Sequence, residues 1–208
     1  MFAITIEQDE DRTPRWSEVP QPQPRADEVI VAVHATACNR ADLLQRRGLY
    51  PPPPGASEII GLEAAGTVER VGDDVDEALV GRRVAALLSG GGYAQEVAVP
   101  ASHLLMLPDS MSFEEAAAIP EVFYTAYLNL FMEAALQPGE TAVIHAAASG
   151  VGTAALQLCR TLERPVGVHR ERTRGEHLVT VDHVPVGIGE QRSVGVAVEG
   201  DPRVGTLR

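Results

Sequence analysis

Short runs of alternating apolar and polar residues, each closed by glycine, proline or aspartate, fill the first hundred positions of the chain. A period of two is typical of half-buried strands. The predicted strands are residues 29–37, 66–71, 83–88 and 93–99. Two proline-rich spacers, residues 20–24 and 51–54, favour extended backbone. Many short strands at roughly ten-residue spacing predict a barrel-like β domain.

The pattern becomes helical after residue 110. Ser112 with Glu115 three positions later forms a capping-box sequence, which predicts the start of a helix. Apolar residues at helical spacing then predict an amphipathic helix over residues 122–135. Pro120 precedes that helix and is expected to interrupt the helical segment.

A strand, a tight turn and a helix follow one another between residues 141 and 162. Residues 141–145 are an apolar strand, 146–152 are mostly Ala, Ser and Gly, and 153–162 have helical character. This order is typical of dinucleotide-binding domains. Small residues let the backbone approach a pyrophosphate, and the first N–H groups of the helix offer hydrogen bonds to it.

The glycine content of this turn leaves an alternative open. The three fingerprint glycine positions correspond to Ala147, Ser149 and Gly152, so only the last is glycine. A turn with small residues for close helix–strand packing has the same composition. The predicted cofactor-binding residues of the turn are Ala148, Ser149, Gly150, Val151 and Gly152.

Charge and length restrict the class of protein. The 208 residues include 29 acidic and 17 basic side chains, all of the latter arginine, for a net charge of −12. Such a balance argues against nucleic acid as a partner. The apolar runs are too short to span a membrane, and the acidic start lacks the features of a secretion signal. We expect a cytoplasmic protein without a membrane partner.

The chain has two cysteines, Cys38 and Cys159. They are too few for a disulfide framework or a thiolate zinc site, and each is expected to be a small buried residue. His34 and His145 lie in apolar strands and are expected to be core histidines.

Several separated motifs carry a resemblance to a known family. Four motifs resemble the medium-chain dehydrogenase/reductase superfamily. They are Asn-Arg-Ala-Asp at 39–42, Tyr50 before its prolines, Gly-Leu-Glu-Ala-Ala-Gly at 61–66 and Ser-Gly-Val-Gly-Thr-Ala-Ala at 149–155. The most similar branch is the zinc-independent, zeta-crystallin-like quinone oxidoreductases. The resemblance covers residues 1 to about 168. It implies a β-rich GroES-like domain, residues 1–118, followed by the first part of an α/β Rossmann domain, residues 119–169, which is incomplete.

The resemblance also implies that no metal is bound. In the zinc alcohol dehydrogenases a cysteine begins the segment matching 39–42, and a histidine precedes the glutamate matching Glu63. Asn39 and Leu62 stand at those positions here. An amide and an alkyl group are poor zinc ligands. Asp42 and Glu63 match family positions and are expected to be hydrogen-bonded structural carboxylates.

Three residues receive roles from the resemblance. Tyr50 resembles the tyrosine lining the substrate and nicotinamide cleft, and its phenol is expected to donate to a developing oxyanion. Asn39 resembles the residue near the nicotinamide ribose, and Thr125 the threonine facing the nicotinamide. Each residue has a structural alternative. Tyr50 could be a rim aromatic packed on prolines, Asn39 a buried amide bonded to backbone, and Thr125 a helix threonine bonded to its own backbone.

The implied function is zinc-independent reduction of a small-molecule quinone or enone by NADPH, in a cleft between the two domains. NADH is the alternative coenzyme, and the family implies a homodimer. A competing hypothesis is an inactive fragment that acts at most as a binding or dimerising module. A GroES-like chaperone component is disfavoured by the cofactor turn and by Tyr50.

The resemblance ends near His169. In residues 170–208 alanine occurs only at Ala197, and acidic and basic residues balance. Residues 177–186 and 193–199 are β-like. This tail is a genuine alternative ending or, as its composition favours, an out-of-frame sequence that is expected to pack poorly. Coenzyme choice is set just after the second Rossmann strand, where Glu171 lies between Arg170 and Arg172, so NADPH is inferred from the family branch alone.

Overall fold

The computed structural model describes residues 1–138, 140–162, 166–169 and 193–196, the last two segments as backbone strands. It divides into two compact units, Met1–Glu121 and Val122–Arg208. The division lies close to the boundary predicted at residue 118. Among the described residues, no helix combines the length and the apolarity that a membrane crossing requires.

The first unit is built mainly from antiparallel strands. Its elements are β1 (Phe2–Ile6), β2 (Pro14–Glu18), β3 (Glu28–Ala35), α1 (Arg40–Arg46), β4 (Glu63–Val71), β5 (Arg83–Leu87), β6 (Glu96–Pro100), β7 (Leu105–Met106) and α2 (Phe113–Ala117). Five strands form one sheet in the order β6-β3-β4-β5-β7, and β1 pairs with β2. The β-rich first domain is therefore confirmed. The strands β1 and β2 and the helix α1 were not predicted.

Strand alternation gives the five-stranded sheet two apolar faces. One face is a valine-rich core, consisting of Val29, Val31, Ala64, Val68, Val84, Ala86, Val97 and Val99. The intervening residues Ala65 and Ala85 pack instead against Ala116 and Ala117 of α2. Successive side chains of a strand point to opposite faces, so β4 and β5 contribute to both clusters. The alanines leave room for α2 to approach the sheet closely.

Gly66 of β4 lies directly against the backbone of β3. A Cβ at this position would lie 1.9 Å from the carbonyl oxygen of Ala32. The register of the two strands also shifts between Val33 and Ala35, beside the Val33–Gly66 pair. Only glycine permits this approach, which is the usual reason for a glycine within a strand. The close pairing keeps Glu63, at the start of β4, near the segment that follows β3.

The helix α3 (Pro120–Tyr127) begins the connection to the second unit and continues as a π-helix, Leu128–Glu133. The predicted single α-helix over 122–135 is wrong in this detail. Ala134 N–H bonds to Asn129 O, five residues back, at 3.0 Å. The helical segment is interrupted before Pro120, as predicted: α2 ends at Ala117, and Pro120 is the first residue of α3, where a helix does not need its N–H group.

The second unit has a parallel sheet. Its remaining elements are β8 (Thr141–His145), α4 (Gly150–Thr161), β9 (Val166–His169) and β10 (Ser193–Val196), and the strand order is β10-β8-β9. Its core consists of Ala126, Leu130, Leu136, Ala142, Ile144, Ala154, Ala155 and Cys159. The strand–turn–helix arrangement and the start of an α/β domain are confirmed.

Only a small part of the tail belongs to the described residues. The strand β10 falls within the β-like stretch predicted at 193–199 and pairs in parallel with β8. Residues 170–192 and 197–208 lie outside the described residues. They include the predicted β-like stretch at 177–186 and the segment Arg170, Glu171 and Arg172, where coenzyme choice is expected to be set.

The π-helix offers a test of the second core. Leu130 is 0% exposed, whereas Met132 on the same turn is 66% exposed. We expect Leu130→Ala to lower the free energy of unfolding by about 2–5 kcal/mol, because it removes buried methyl groups and leaves a cavity. Met132→Ala is the control, with an expected change of about 0.5 kcal/mol or less. Urea unfolding followed by far-UV circular dichroism measures both, and equal losses would contradict this description of the core.

Candidate functional site

Asn39 and Glu63 form the centre of a polar cluster in the first unit. Asn39 is the N-cap residue of α1, with extended backbone, and Glu63 is the first residue of β4. The side-chain Nδ2 of Asn39 donates to Glu63 Oε1 at 2.7 Å. The second carboxylate oxygen, Oε2, accepts from the backbone N–H of Glu121 at 2.9 Å. Glu63 is 1% exposed and both of its oxygens are paired.

Asp42 lies beside this pair, on the first turn of α1. Its Oδ2 accepts from the backbone N–H of Asn39 at 2.7 Å and from the phenol of Tyr93 at 2.8 Å. The other oxygen, Oδ1, is buried and has no hydrogen-bond partner among the described residues. Asp42 and Glu63 are thus hydrogen-bonded buried carboxylates, as the sequence predicts.

The cluster is rich in negative groups, and its titration reflects this. Burial raises the pKa of Glu63 above its ordinary value, against the lowering effect of its hydrogen bonds from Glu121 and Asn39, and the charge of Asp42 adds a smaller increase. Burial together with the charges of Glu63 and Asp42 raises the pKa of the Glu121 carboxyl. Burial also raises the pKa of Tyr93, with further contributions from Cys38 and Asp42. Tyr93 therefore remains a neutral donor at physiological pH.

Tyr50 occupies a different environment. It follows the turn after α1, stands immediately before four exposed prolines, and is 48% exposed. No hydrogen bond joins its phenol to Asn39 within the part of the chain that the structure describes. The assigned roles of Asn39 and Tyr50 remain predictions.

The turn before α4 has the local geometry of an anion-binding helix start. Ser149 is the N-cap residue, and its Oγ accepts from Gly152 N–H at 3.0 Å. The N–H groups of Gly150 and Val151 have no partner within the helix, because the first residues of an α-helix lack an acceptor one turn earlier. Ala148, Ser149 and Gly150 are exposed. A phosphate fits these small exposed residues and the unpaired N–H groups beside them.

Gly152 has a packing role in the same turn. A Cβ at this position would lie 2.6 Å from both the carbonyl oxygen of Ala146 and the Cα of Ala147. Glycine therefore lets α4 start directly against the end of β8. This is the role of the third fingerprint glycine, which supports close helix–strand packing.

Thr125 lies within α3 and is partly buried. Its backbone carbonyl accepts from the side-chain Nδ2 of Asn129 at 2.8 Å. The structure thus places Asn39 and Tyr50 in the first unit and Thr125 with residues 148–152 in the second.

Three expectations about single residues are wrong. His34 is exposed and stacks on Phe113 with ring centroids 4.4 Å apart, because its side chain points out of β3. His145, the last residue of β8, is exposed as well. Cys38 is also exposed, because it precedes α1 in a loop, whereas Cys159 is buried as expected.

The sequence did not single out Tyr93 or Glu121 as members of the cluster. Tyr93 follows three glycines, Gly90–Gly92, and reaches Asp42 across 51 positions of sequence. Glu121 takes part through its backbone N–H, which every residue except proline possesses. No local pattern marks either contact. Within the described residues, no group of three or more His, Cys, Asp or Glu is arranged to hold a metal ion.

The cap of α4 provides a prediction. We expect Ser149→Ala to lower the free energy of unfolding by about 1 kcal/mol, because Gly152 N–H loses its acceptor. Gln157→Ala, in the exposed middle of the same helix, is the control and is expected to change it by about 0.5 kcal/mol or less. Urea titrations compare the two variants. A loss in Gln157→Ala as large as that in Ser149→Ala would show that the cap does not stabilise α4.

The acidic cluster predicts a pH-dependent stability. The raised pKa of Glu121 means that its contribution to stability is present below the unfolded pKa and is lost as pH rises through the folded value. We therefore expect Glu121→Gln to unfold at higher urea than the wild type at pH 7.5, because glutamine does not ionise. The difference should shrink towards pH 4.5. Glu114→Gln, an exposed position on α2, should show no such trend, and a pH-independent effect of Glu121→Gln would contradict the prediction.

Comparison with known proteins agrees with both units. Residues 25–109 match the family model of the alcohol dehydrogenase GroES-like domain. The synaptic vesicle membrane protein VAT-1 homolog of Rattus norvegicus is 44% identical over 142 residues, which are 68% of this chain and 35% of that protein. The chain thus spans about a third of the length of this curated relative.

Solved structures of enzymes share the fold. The quinone oxidoreductase of Thermus thermophilus, determined also in complex with NADPH, is 37% identical with a TM-score of 0.67, and the match covers 83% of this chain and 53% of that one. The CurK enoyl reductase is 31% identical with a TM-score of 0.71, covering 81% and 53%. The chain belongs to the medium-chain dehydrogenase/reductase superfamily, with an alcohol dehydrogenase GroES-like domain followed by part of a Rossmann domain.

Proposed function

We propose that this chain carries the first part of a zinc-independent oxidoreductase that reduces a quinone or an enone with NADPH as the hydride donor. The observation that carries the proposal is the polar cluster around Asn39. The amide stands at the position where the zinc enzymes of the family have a ligand cysteine, and its Nδ2 is engaged by Glu63 rather than directed at a cation.

The start of α4 supports a dinucleotide as cofactor. Ala148, Ser149 and Gly150 are small and exposed, and with the unpaired N–H groups of Gly150 and Val151 they suit a pyrophosphate. The Ser149 hydroxyl accepts from Gly152 and still has its own proton to donate to a phosphate oxygen. When bound, the cofactor supplies a hydride. Thermus thermophilus quinone oxidoreductase, a structural relative, is known in complex with NADPH, which favours NADPH over NADH.

The residues at positions 39 and 62 also indicate which kind of substrate accepts the hydride. They are an amide and an alkyl group instead of zinc ligands, so the proposed reaction proceeds without a Lewis acid. A quinone or a conjugated enone is already electrophilic and delocalises the negative charge that develops on its oxygen. The chain then needs only to orient the acceptor and to donate a hydrogen bond to that oxygen. The exposed phenol of Tyr50 is suited to this task. The relatives include both a quinone oxidoreductase and an enoyl reductase, which supports both acceptor classes.

Binding of the cofactor is the first experiment. Titration of the purified chain with NADPH, followed by cofactor fluorescence, should show saturable binding, with weaker binding of NADH. Gly152→Val should abolish it, because the branched side chain cannot fit against Ala146 and Ala147. An absence of NADPH binding to the folded wild-type chain would reject the enzyme and leave the inactive binding module as the function.

Turnover tests the role of Tyr50. We expect Tyr50→Phe to lower kcat for the NADPH-dependent reduction of a 1,4-quinone about 100-fold with little change in KM, because a donor to the developing oxyanion is lost. Tyr127→Phe is a matched control, since Tyr127 is 47% exposed and Tyr50 is 48% exposed. An unchanged kcat in Tyr50→Phe would make Tyr50 a rim residue packed on its prolines.

A further inference from the structure

Each carboxylate oxygen of Glu63 accepts one hydrogen bond. The side-chain NH₂ of Asn39 donates to Oε1, and the backbone N–H of Glu121 donates to Oε2. Both bonds are shorter than 3.0 Å, and the carboxyl is excluded from water. An ionised carboxylate satisfies both donors because each of its oxygens is an acceptor.

No uncharged side chain of this size can do the same. A protonated Glu63 has one O–H donor, and a glutamine has an NH₂ donor on one of its two branches. In either case a donor faces Asn39 or Glu121. The backbone N–H of Glu121 cannot turn around, whereas an amide can rotate about its side-chain bonds and present its oxygen to a donor. Loss of the Glu63 charge therefore removes the orientation in which Asn39 Nδ2 points at Glu63.

The surroundings of Glu63 make its charge sensitive to pH. Asp42 faces it from α1, and the Glu121 carboxyl stands at the start of α3, so two further acids border it. Tyr93 donates to Asp42 and also interacts with Cys38. Among the described residues, no cation contributes to the titration of Glu63. Burial and Asp42 raise its pKa, which brings its protonation nearer to neutral pH.

We propose that Glu63 is a positioning residue: its negative charge fixes the orientation of the Asn39 amide, and its protonation abolishes that orientation and with it efficient hydride transfer. The role in turnover rests on the proposed function, in which Asn39 lies beside the nicotinamide ribose. The coupling between Glu63 and Asn39 does not, because it follows from the hydrogen bonds of the first unit alone.

The coupling can be measured without any substrate. The chain has only two asparagines, Asn39 and Asn129. Selective ¹⁵N-asparagine labelling therefore gives two side-chain NH₂ signals, and Asn39→Asp identifies which belongs to Asn39. We expect the Asn39 signal to shift with pH along a single titration curve and to lose that titration in Glu63→Gln. Asn129, which donates to the Thr125 carbonyl, is the internal control and should not titrate.

Turnover provides the second measurement. In the wild-type chain we expect kcat/KM for 1,4-quinone reduction to rise with pH through the same midpoint as the Asn39 signal and then to level off. Glu63→Gln should lack this rise and stay about 10- to 100-fold below the wild-type plateau, because the amide is misoriented. A merely structural role of Glu63 would lower the stability of the fold and leave the shape of the pH profile unchanged.

The outcomes separate the two proposals. An Asn39 signal that does not titrate in the wild type overturns the positioning role, whatever the activity. This measurement uses the wild-type chain, so it does not depend on whether a Glu63 variant folds. A titrating Asn39 signal in a chain without NADPH oxidation supports the coupling and rejects the enzyme. A pH profile in Glu63→Gln that is identical in shape to that of the wild type overturns the role of Glu63 in turnover.

Discussion

One buried carboxylate connects the separate pieces of the first unit. Glu63 is the first residue of β4. It accepts from the side chain of Asn39, the N-cap residue of α1, and from the backbone N–H of Glu121 at the start of α3. A buried charge is tolerated only when hydrogen bonds replace the water that it has lost. Both oxygens are used for this purpose, one by the N-cap residue of α1 and the other by the backbone at the start of α3. The β3–β4 pairing places Glu63 beside the segment after β3, where Thr36 donates to its backbone carbonyl.

The same region contains the position at which this sequence differs from the zinc alcohol dehydrogenases. Where the resemblance places a cysteine in those enzymes, this chain has Asn39, which stands at the N-cap of α1 and donates its side-chain amide to Glu63. Asp42 completes the arrangement by accepting from Asn39 and from Tyr93. Three acids lie close together here, and burial raises the pKa of two of them. The cluster therefore gives up some stability at neutral pH for a fixed polar geometry.

The candidate site of the second unit consists mainly of backbone N–H groups and small residues rather than of charged side chains. Ser149 caps α4, and Gly152 lets the helix begin against the end of β8. The fingerprint departs from three glycines, yet the position that must be glycine for steric reasons is retained. The other two positions hold residues that are small enough for a phosphate to approach the helix start.

Most of the architecture could be predicted from local pattern, because alternation and helical periodicity are properties of adjacent residues. The strands β3 to β6, the capping box at Ser112 and the β8–turn–α4 segment were predicted in this way. The hairpin of β1 and β2 was missed because its strands lack a clear alternation, as most of their residues are exposed or only partly buried. The π-helix was missed because apolar spacing does not distinguish it from an α-helix.

The sequence by itself determined the order of the two domain types and the strand–turn–helix segment, and its resemblance to the family singled out Asn39, Asp42 and Glu63. The tertiary structure alone decided that Asn39 donates to Glu63, that Tyr93 reaches Asp42, and that the backbone of Glu121 takes the last oxygen of Glu63. The exposure of His34 and Cys38 was also decided there. The physical reason is that these contacts join residues distant in sequence, and a hydrogen bond between them depends on strand register and helix placement, which no local pattern encodes.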